Sequence, residues 1–268
     1  MKCVVTDYVE PDLDWEARRY AEEGIEFDPR QLRRASDEET VAAIEDADVV
    51  VVDQRRLDGA LLRRAGRCRL VIRHGDGYDN LDLDAATELG IVCINKPGFW
   101  SLEVAEHAVV LTLSTWAKLR RQIDVAAHAD EASAFPWDLP SIYPVSRFRG
   151  SVVGIVGFGK IGRRVASLMR GLGAEVIVCD PYLPPETIAA ASARSVSFHE
   201  LVETADVVTL HTPSTPETHR MIDAAALERM KRSATVVNTA RGSVVDTDAL
   251  VAALEAGSIA GAAVDVTE

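Results

Sequence analysis

The run Val152-Val153-Gly154-Ile155-Val156-Gly157-Phe158-Gly159-Lys160-Ile161-Gly162-Arg163 constrains this chain more than any other stretch. A β-branched strand pattern enters a Gly-x-Gly-x-x-Gly turn, which opens into an amphipathic stretch with Val165, Leu168 and Met169 at helical spacing. Strand, tight turn and helix in that order form a cradle for a dinucleotide. Gly157 permits the turn, Gly159 lets the main chain approach a pyrophosphate, and Gly162 allows the helix to pack close to the strand. The helix N-terminus adds N–H groups and the positive end of its dipole. A second apolar run, residues 174–179, ends at Asp180, eighteen residues after Gly162. A carboxylate there can accept hydrogen bonds from both ribose hydroxyls and repels a 2′-phosphate, so the expected cofactor is NAD rather than NADP.

The chain has 268 residues, enough for two domains with their own cores. Strand-like runs at residues 3–6, 25–27, 49–52, 70–73 and 91–94 alternate with helical patterns such as 38–45 and 82–89. This alternation predicts a parallel sheet covered on both faces. Asn95-Lys96-Pro97-Gly98 breaks the pattern, as a crossing between domains does. A long helix is predicted from Ser101, its N-cap, to about residue 126, with Val104, Ala108 and Leu111 along one face. Residues 128–150 carry Phe135, Pro136, Trp137, Pro140, Ile142, Tyr143, Pro144 and Phe148 without any period. Such an apolar arm needs covering, and a subunit contact is the expectation, ahead of packing on its own chain. A second alternating unit follows Gly150, with strands near residues 152, 175, 206 and 234 and a last one over 260–266.

Composition supports a soluble protein: 47% of residues are hydrophobic, 26% are charged, and no apolar run approaches a membrane span. The first residues lack the basic and then apolar stretches of an export signal. Cys3, Cys68, Cys93 and Cys179 have neither metal-ligand nor paired spacing, which predicts reduced thiols and a cytoplasmic setting. No group of residues has metal-ligand spacing. The formal net charge of −13 argues against broad nucleic-acid binding.

Three further segments extend the reading. Val236-Val237-Asn238-Thr239-Ala240-Arg241-Gly242-Ser243-Val244-Val245-Asp246 resembles the signature of the D-isomer-specific 2-hydroxyacid dehydrogenases. Arg73-His74-Gly75-Asp76-Gly77-Tyr78-Asp79-Asn80-Leu81-Asp82 and Gly261-Ala262-Ala263-Val264-Asp265-Val266 also resemble that family, in the same order and separation. Arg149-Gly150 and Asp180-Pro181-Tyr182-Leu183 are most similar to its C-terminal-binding-protein and phosphoglycerate-dehydrogenase-like branch. The resemblance implies two doubly wound α/β domains. Residues 1–98 would form a flavodoxin-like substrate domain, and 99–268 a Rossmann NAD domain whose helix and arm, about 101–148, make a homodimer. It also implies an active site to which both domains contribute, and a small 2-hydroxy or 2-keto acid substrate.

Within that resemblance Arg241 is the catalytic anchor, a planar fork holding the substrate carboxylate and polarising its carbonyl; it is also counted among the cofactor contacts. Gly75, Asp76 and Gly77 would present backbone N–H groups to the same carboxylate. The residue between these glycines is commonly small and apolar in the family. Asp76 departs from that: either its side chain points away, or the substrate differs from a plain 2-keto acid. Lys160 and Ile161 would lie over the pyrophosphate, His211, Thr212 and Pro213 along the adenosine side, and Thr239, Ala240 and Asp265 at the nicotinamide end. His107 matches a helix position that is mainly structural, and the remaining histidines are read as ordinary surface or core residues.

In this family a His supplies the proton that accompanies hydride transfer, oriented by a Glu in an Asp-Val-x-x-x-Glu-Pro motif. The sequence reaches Asp265-Val266-Thr267-Glu268, and Glu268 is out of register for that Glu. The expectation is therefore a piece of a longer NAD-dependent oxidoreductase. The alternative is a non-catalytic NAD(H)-binding sensor or corepressor-like interaction protein.

Overall fold

The computed structural model describes residues 1–127 and 145–268, so the arm residues Phe135 to Pro144 lie outside the described part. Two compact units follow one another, Met1–Trp100 and Ser101–Glu268.

In the first unit, β1 (Lys2–Val5), β2 (Glu26–Pro29), β3 (Val49–Val52), β4 (Leu70–Arg73) and β5 (Val92–Ile94) form one sheet in the order β2-β1-β3-β4-β5. Every pairing in it is parallel. Between the strands run α1 (Asp14–Glu22), α2 (Asp37–Ile44), α3 (Gly59–Arg64) and α4 (Leu83–Glu88). Helix starts follow local chemistry. Ser36 and Glu39 close a reciprocal capping box on α2, and the carboxylates of Asp58 and Asp82 accept from the first turns of α3 and α4. The core packs Val4, Val50, Val52 and Val71 of the sheet against Val41, Ile44, Leu61, Leu62, Ala85 and Ala86. α1 has no fully buried residue and holds on through Tyr20, stacked on Phe27 of β2 with ring centroids 4.7 Å apart.

The second unit opens with α5 (Ser101–Trp116) and α6 (Leu119–Ala127). The single helix expected over this stretch is divided. Lys118 adopts a left-handed φ of 52°, which ends a right-handed helix, and Gln122 Nε2 donates to the released carbonyl of Ala117 at 2.6 Å. Ser101 is the first helical residue and is buried, rather than standing outside the helix as its cap. Phe148, at the described end of the arm, meets Trp116 edge to face, and Trp116 Nε1 donates to Ser146 O at 2.8 Å. That end is covered by its own chain.

The second sheet comprises β6 (Val152–Val156), β7 (Glu175–Cys179), β8 (Arg194–Ser195), β9 (Val207–Leu210), β10 (Thr235–Asn238) and β11 (Gly261–Val264). The remaining helices are α7 (Lys160–Gly171), α8 (Pro185–Ala190), α9 (Phe198–Thr204), α10 (Ala224–Arg229) and α11 (Thr247–Glu255). Strand order is β11-β10-β9-β6-β7-β8, all parallel, so the connection direction reverses between β6 and β9. Both faces carry a core: Ala105, Ala108, Val165, Ala166, Met169 and Ile188 on one, Leu201, Val202, Leu227, Met230 and Leu250 on the other. β9 and β10 are buried at every position, as β-branched central strands of a parallel sheet must be. No helix among the described residues is long and apolar enough to cross a membrane.

Candidate functional site: a nucleotide-binding edge

Ligands of open α/β sheets bind beyond the carboxyl ends of the strands, where the winding reverses. In the second unit that point lies between β6 and β9, and the glycine turn is there. Gly157 has φ +87°, and a Cβ on it would lie 2.5 Å from the carbonyl oxygen of His211. Two chain segments therefore pass each other at backbone contact, which only glycine allows. A Cβ on Gly162 would collide with Gly157 O, so α7 lies hard against the turn. Gly159 differs from both: nothing comes within 4 Å of its Cβ position. It is also the N-cap of α7 and offers no side-chain cap, whereas Ser197, Asp223 and Asp246 cap α9, α10 and α11. An uncapped helix start beside an open glycine is the shape and polarity a pyrophosphate requires.

Asp180 follows β7. Its Oδ2 accepts from Phe158 N–H at 2.8 Å and its Oδ1 from Tyr182 N–H at 3.0 Å. These bonds fix the carboxylate beside the turn, and each oxygen keeps a further lone pair for a hydroxyl donor.

After β9, His211 is a half-buried residue with its ring turned inward. Nε2 meets Thr209 Oγ1 at 3.0 Å, Nδ1 is buried without a partner, and burial pushes the imidazole down to about 3. The ring is therefore neutral at physiological pH. After β10, Asn238 staples the next turn, its Nδ2 donating to Arg241 O at 2.8 Å and its Oδ1 accepting from Ala240 N–H at 2.9 Å. The Arg241 guanidinium donates through Nη1 to Ala240 O at 2.7 Å. Thr239 Oγ1 is buried and has no hydrogen-bond partner among the described residues. After β11, Asp265 N–H donates to Asn238 O, and Asp265 Oδ1 lies 3.2 Å from His107 Nε2 on α5. His107, expected to be structural, thus contacts a residue expected at the nicotinamide end.

Strand order places these residues in a row: Asp265 after β11, Thr239 to Arg241 after β10, His211 to Pro213 after β9, Gly157 to Gly162 after β6, and Asp180 after β7. Five adjacent strands span about 19 Å at the usual inter-strand spacing, a track for an extended ligand.

In the first unit the turn Gly75–Gly77 follows β4. Arg73 folds its guanidinium against Gly75 and pairs with Asp53 Oδ1 at 3.2 Å, leaving its Nε buried and unpaired. Burial pushes the Asp53 carboxyl up, against the lowering effect of the Arg73 charge. Arg73 opens the Arg73-to-Asp82 motif, whose pattern by itself gives it no role; the register Val52↔Arg73, with Asp53 next along the neighbouring strand, is the signal that pairs the two. Asp76 turns its carboxylate onto the N–H of Gly98 at 2.9 Å. The described residues hold no cluster of His, Cys, Asp or Glu able to bind a metal ion. All four cysteines are free.

Comparison with known proteins agrees with this geometry. Residues 114–268 match the family profile of the D-isomer specific 2-hydroxyacid dehydrogenase NAD binding domain. A D-3-phosphoglycerate dehydrogenase from Arabidopsis thaliana is 40% identical over 75% of this chain, which covers 31% of that protein. A glyoxylate reductase from Thermococcus litoralis is 35% identical over 90% of this chain and 72% of its own. The crystal structure of a D-lactate dehydrogenase from Aquifex aeolicus, complexed with NAD and lactic acid, superimposes with a TM-score of 0.85 at 26% identity. It covers 99% of this chain, which in turn covers 77% of that one. The fold is that of a two-domain, doubly wound nucleotide-binding protein. The chain belongs to the D-isomer specific 2-hydroxyacid dehydrogenase family, while spanning about a third of the length of the plant relative.

Proposed function

We propose that this protein is an NAD-dependent oxidoreductase interconverting a small 2-hydroxy acid and its 2-keto acid. The observation that carries the reading is the row of site residues along the carboxyl edge of the second sheet, with an open Gly159 between Asp180 at one end and Asp265 at the other. Asp180 receives the adenosine ribose, and its charge excludes a 2′-phosphate. The start of α7, with Lys160 and Ile161, holds the pyrophosphate, His211 to Pro213 line the adenosine side, and Thr239, Ala240 and Asp265 orient the nicotinamide. When bound, the nicotinamide supplies or accepts the hydride.

Arg241 holds the substrate carboxylate and polarises the adjacent carbonyl; in the first unit the N–H groups of Asp76 and Gly77 are the donors that the Gly75–Gly77 turn offers to a carboxylate, since the Gly75 N–H is bonded to Arg73 O. His211 is no source of the proton, because its ring is neutral, buried and already engaged with Thr209. Free thiols support a cytoplasmic setting. A homodimer through α5 and α6 is supported by Leu102, Val110, Leu119 and Ile123, apolar side chains exposed on those helices.

The test is NADH oxidation by the full-length protein with glyoxylate, pyruvate and hydroxypyruvate. Arg241→Lys lowers kcat/KM by about 2 to 4 kcal/mol in transition-state stabilisation, the scale of a lost preorganised donor, and barely changes NADH affinity. Near-normal kcat/KM in that variant removes Arg241 as the anchor. Tight NADH binding with no turnover of any 2-keto acid favours the non-catalytic sensor instead.

A further inference from the structure

The side chain between Gly75 and Gly77, that of Asp76, has a definite partner. Three hydrogen bonds join the turn to the segment that ends the first unit. Lys96 N–H donates to Gly75 O at 2.9 Å, Asn95 Nδ2 to Asp76 O at 2.6 Å, and Gly98 N–H to Asp76 Oδ2 at 2.9 Å. The first two use backbone acceptors and are open to any residue at position 76. The third needs a side-chain acceptor of this length. Gly98 adopts φ +84°, a conformation costly for other residues, so the direction of its N–H is itself set by glycine. Lys96 Nζ, 5.2 Å from the Phe99 ring centroid, further ties the receiving segment together.

We propose that Asp76 is a positioning residue: its carboxylate fixes the Gly75–Gly77 turn onto Gly98, so that the N–H groups of Asp76 and Gly77 keep one direction toward a substrate carboxylate, the Gly75 N–H being held by Arg73 O at 3.0 Å. The proposal rests on the reading above that this turn receives that carboxylate. A negative charge beside an anion site disfavours binding, so the charge and the tie act in opposite directions on affinity. Asparagine separates them, because its Oδ1 accepts the same N–H without the charge, whereas alanine removes both.

The experiment compares wild type, Asp76→Ala and Asp76→Asn for KM and kcat with glyoxylate or hydroxypyruvate, and for amide hydrogen exchange across residues 95–98. Asp76→Ala is expected to raise KM about tenfold, the effect of losing one hydrogen bond to a charged group, with a smaller change in kcat and none in NADH affinity. It also speeds exchange at Gly98. Asp76→Asn restores slow exchange and brings KM back to or below the wild-type value. Wild-type KM and exchange in Asp76→Ala overturn the proposal, as does an Asp76→Asn variant that behaves like Asp76→Ala. Exchange reads the tie without turnover. A wild type inactive on every 2-keto acid, with Gly98 exchange still governed by residue 76, therefore refutes the substrate reading and this role for the turn while leaving the hydrogen bond itself established.

Discussion

The two sheets share one winding rule and treat its consequence in opposite ways. Each reverses direction at one point, β1 beside β3 in the first unit and β6 beside β9 in the second. In the first unit that point is filled from within. Asp7 follows β1, is 2% exposed, and accepts from the N–H groups of Asp53, Gln54 and Arg55 at 3.2, 2.6 and 3.0 Å, and from Thr6 Oγ1 at 2.7 Å. A carboxylate of the chain itself occupies the nest of amides that a phosphate otherwise would. In the second unit the corresponding turn carries glycines and an open space at Gly159. The same reversal of winding, in a five-stranded and a six-stranded sheet, accompanies a self-satisfied crevice in one case and a ligand cradle in the other, and the difference lies in the residues immediately after the first strand.

The largest expected effect breaks the first crevice. Asp7→Ala strands three backbone N–H groups and should cost about 3 kcal/mol or more of the first unit's stability. Hydrogen exchange resolved by segment would show faster exchange throughout residues 1–100, with NADH affinity of the second unit nearly unchanged. Wild-type protection in that variant would mean that Asp7 does not do for the first unit what a ligand does for the second.

A pair of substitutions probes the second crevice at an intermediate scale. Gly157→Ala places a Cβ against His211 O at a positive φ and should destabilise by about 2 to 4 kcal/mol. Gly159→Ala meets no protein atom, so the fold should hold. Its methyl group projects into the space reserved for the pyrophosphate, and NADH affinity should fall about tenfold or more, equivalent to 1.4 kcal/mol. Thermal unfolding and fluorescence titration separate the two. If Gly159→Ala binds NADH as wild type does, the cradle is misassigned.

Which of these features were readable from the sequence depends on how locally each is encoded. The glycine turn and Asp180 were legible because glycine spacing, a β-branched run and a strand-end acid each dictate nearby backbone. The strands of both sheets were legible for the same reason, except β8, whose two residues are too few to show a period. The break at Lys118 had no glycine or proline to announce it, because a lysine in the left-handed region has no composition signal. Contacts between distant residues left no pattern at all. The Asp76 tie to Gly98, the Asp7 nest and the His107–Asp265 pair, 158 residues apart, exist only once the chain has folded.

The smallest effect sharpens the comparison through pH. His211, which follows β9 beside the second unit's glycine turn, has a buried ring whose pKa is pushed from 6.5 to about 3 by burial. The folded state thus declines a proton that the unfolded chain accepts, so stability is intact above about 6.5 and is lost as pH falls below it. Asp53 in the first unit has the opposite sign. Its raised pKa contributes stability below the ordinary carboxylate value, and that contribution is lost as pH rises through the folded value. Mild acid should therefore weaken the second unit while this group does not weaken the first. From pH 7 to 5.5 the His211 effect reaches at most about 1.4 kcal/mol, one unit of proton linkage. Segment-resolved hydrogen exchange without cofactor, corrected for intrinsic rates, should show protection falling in residues 150–264 and not in residues 1–100. His211→Asn, with no proton to gain in this range, should flatten that fall. An unchanged acid slope in His211→Asn would show that the buried imidazole is not what makes the second crevice acid-sensitive.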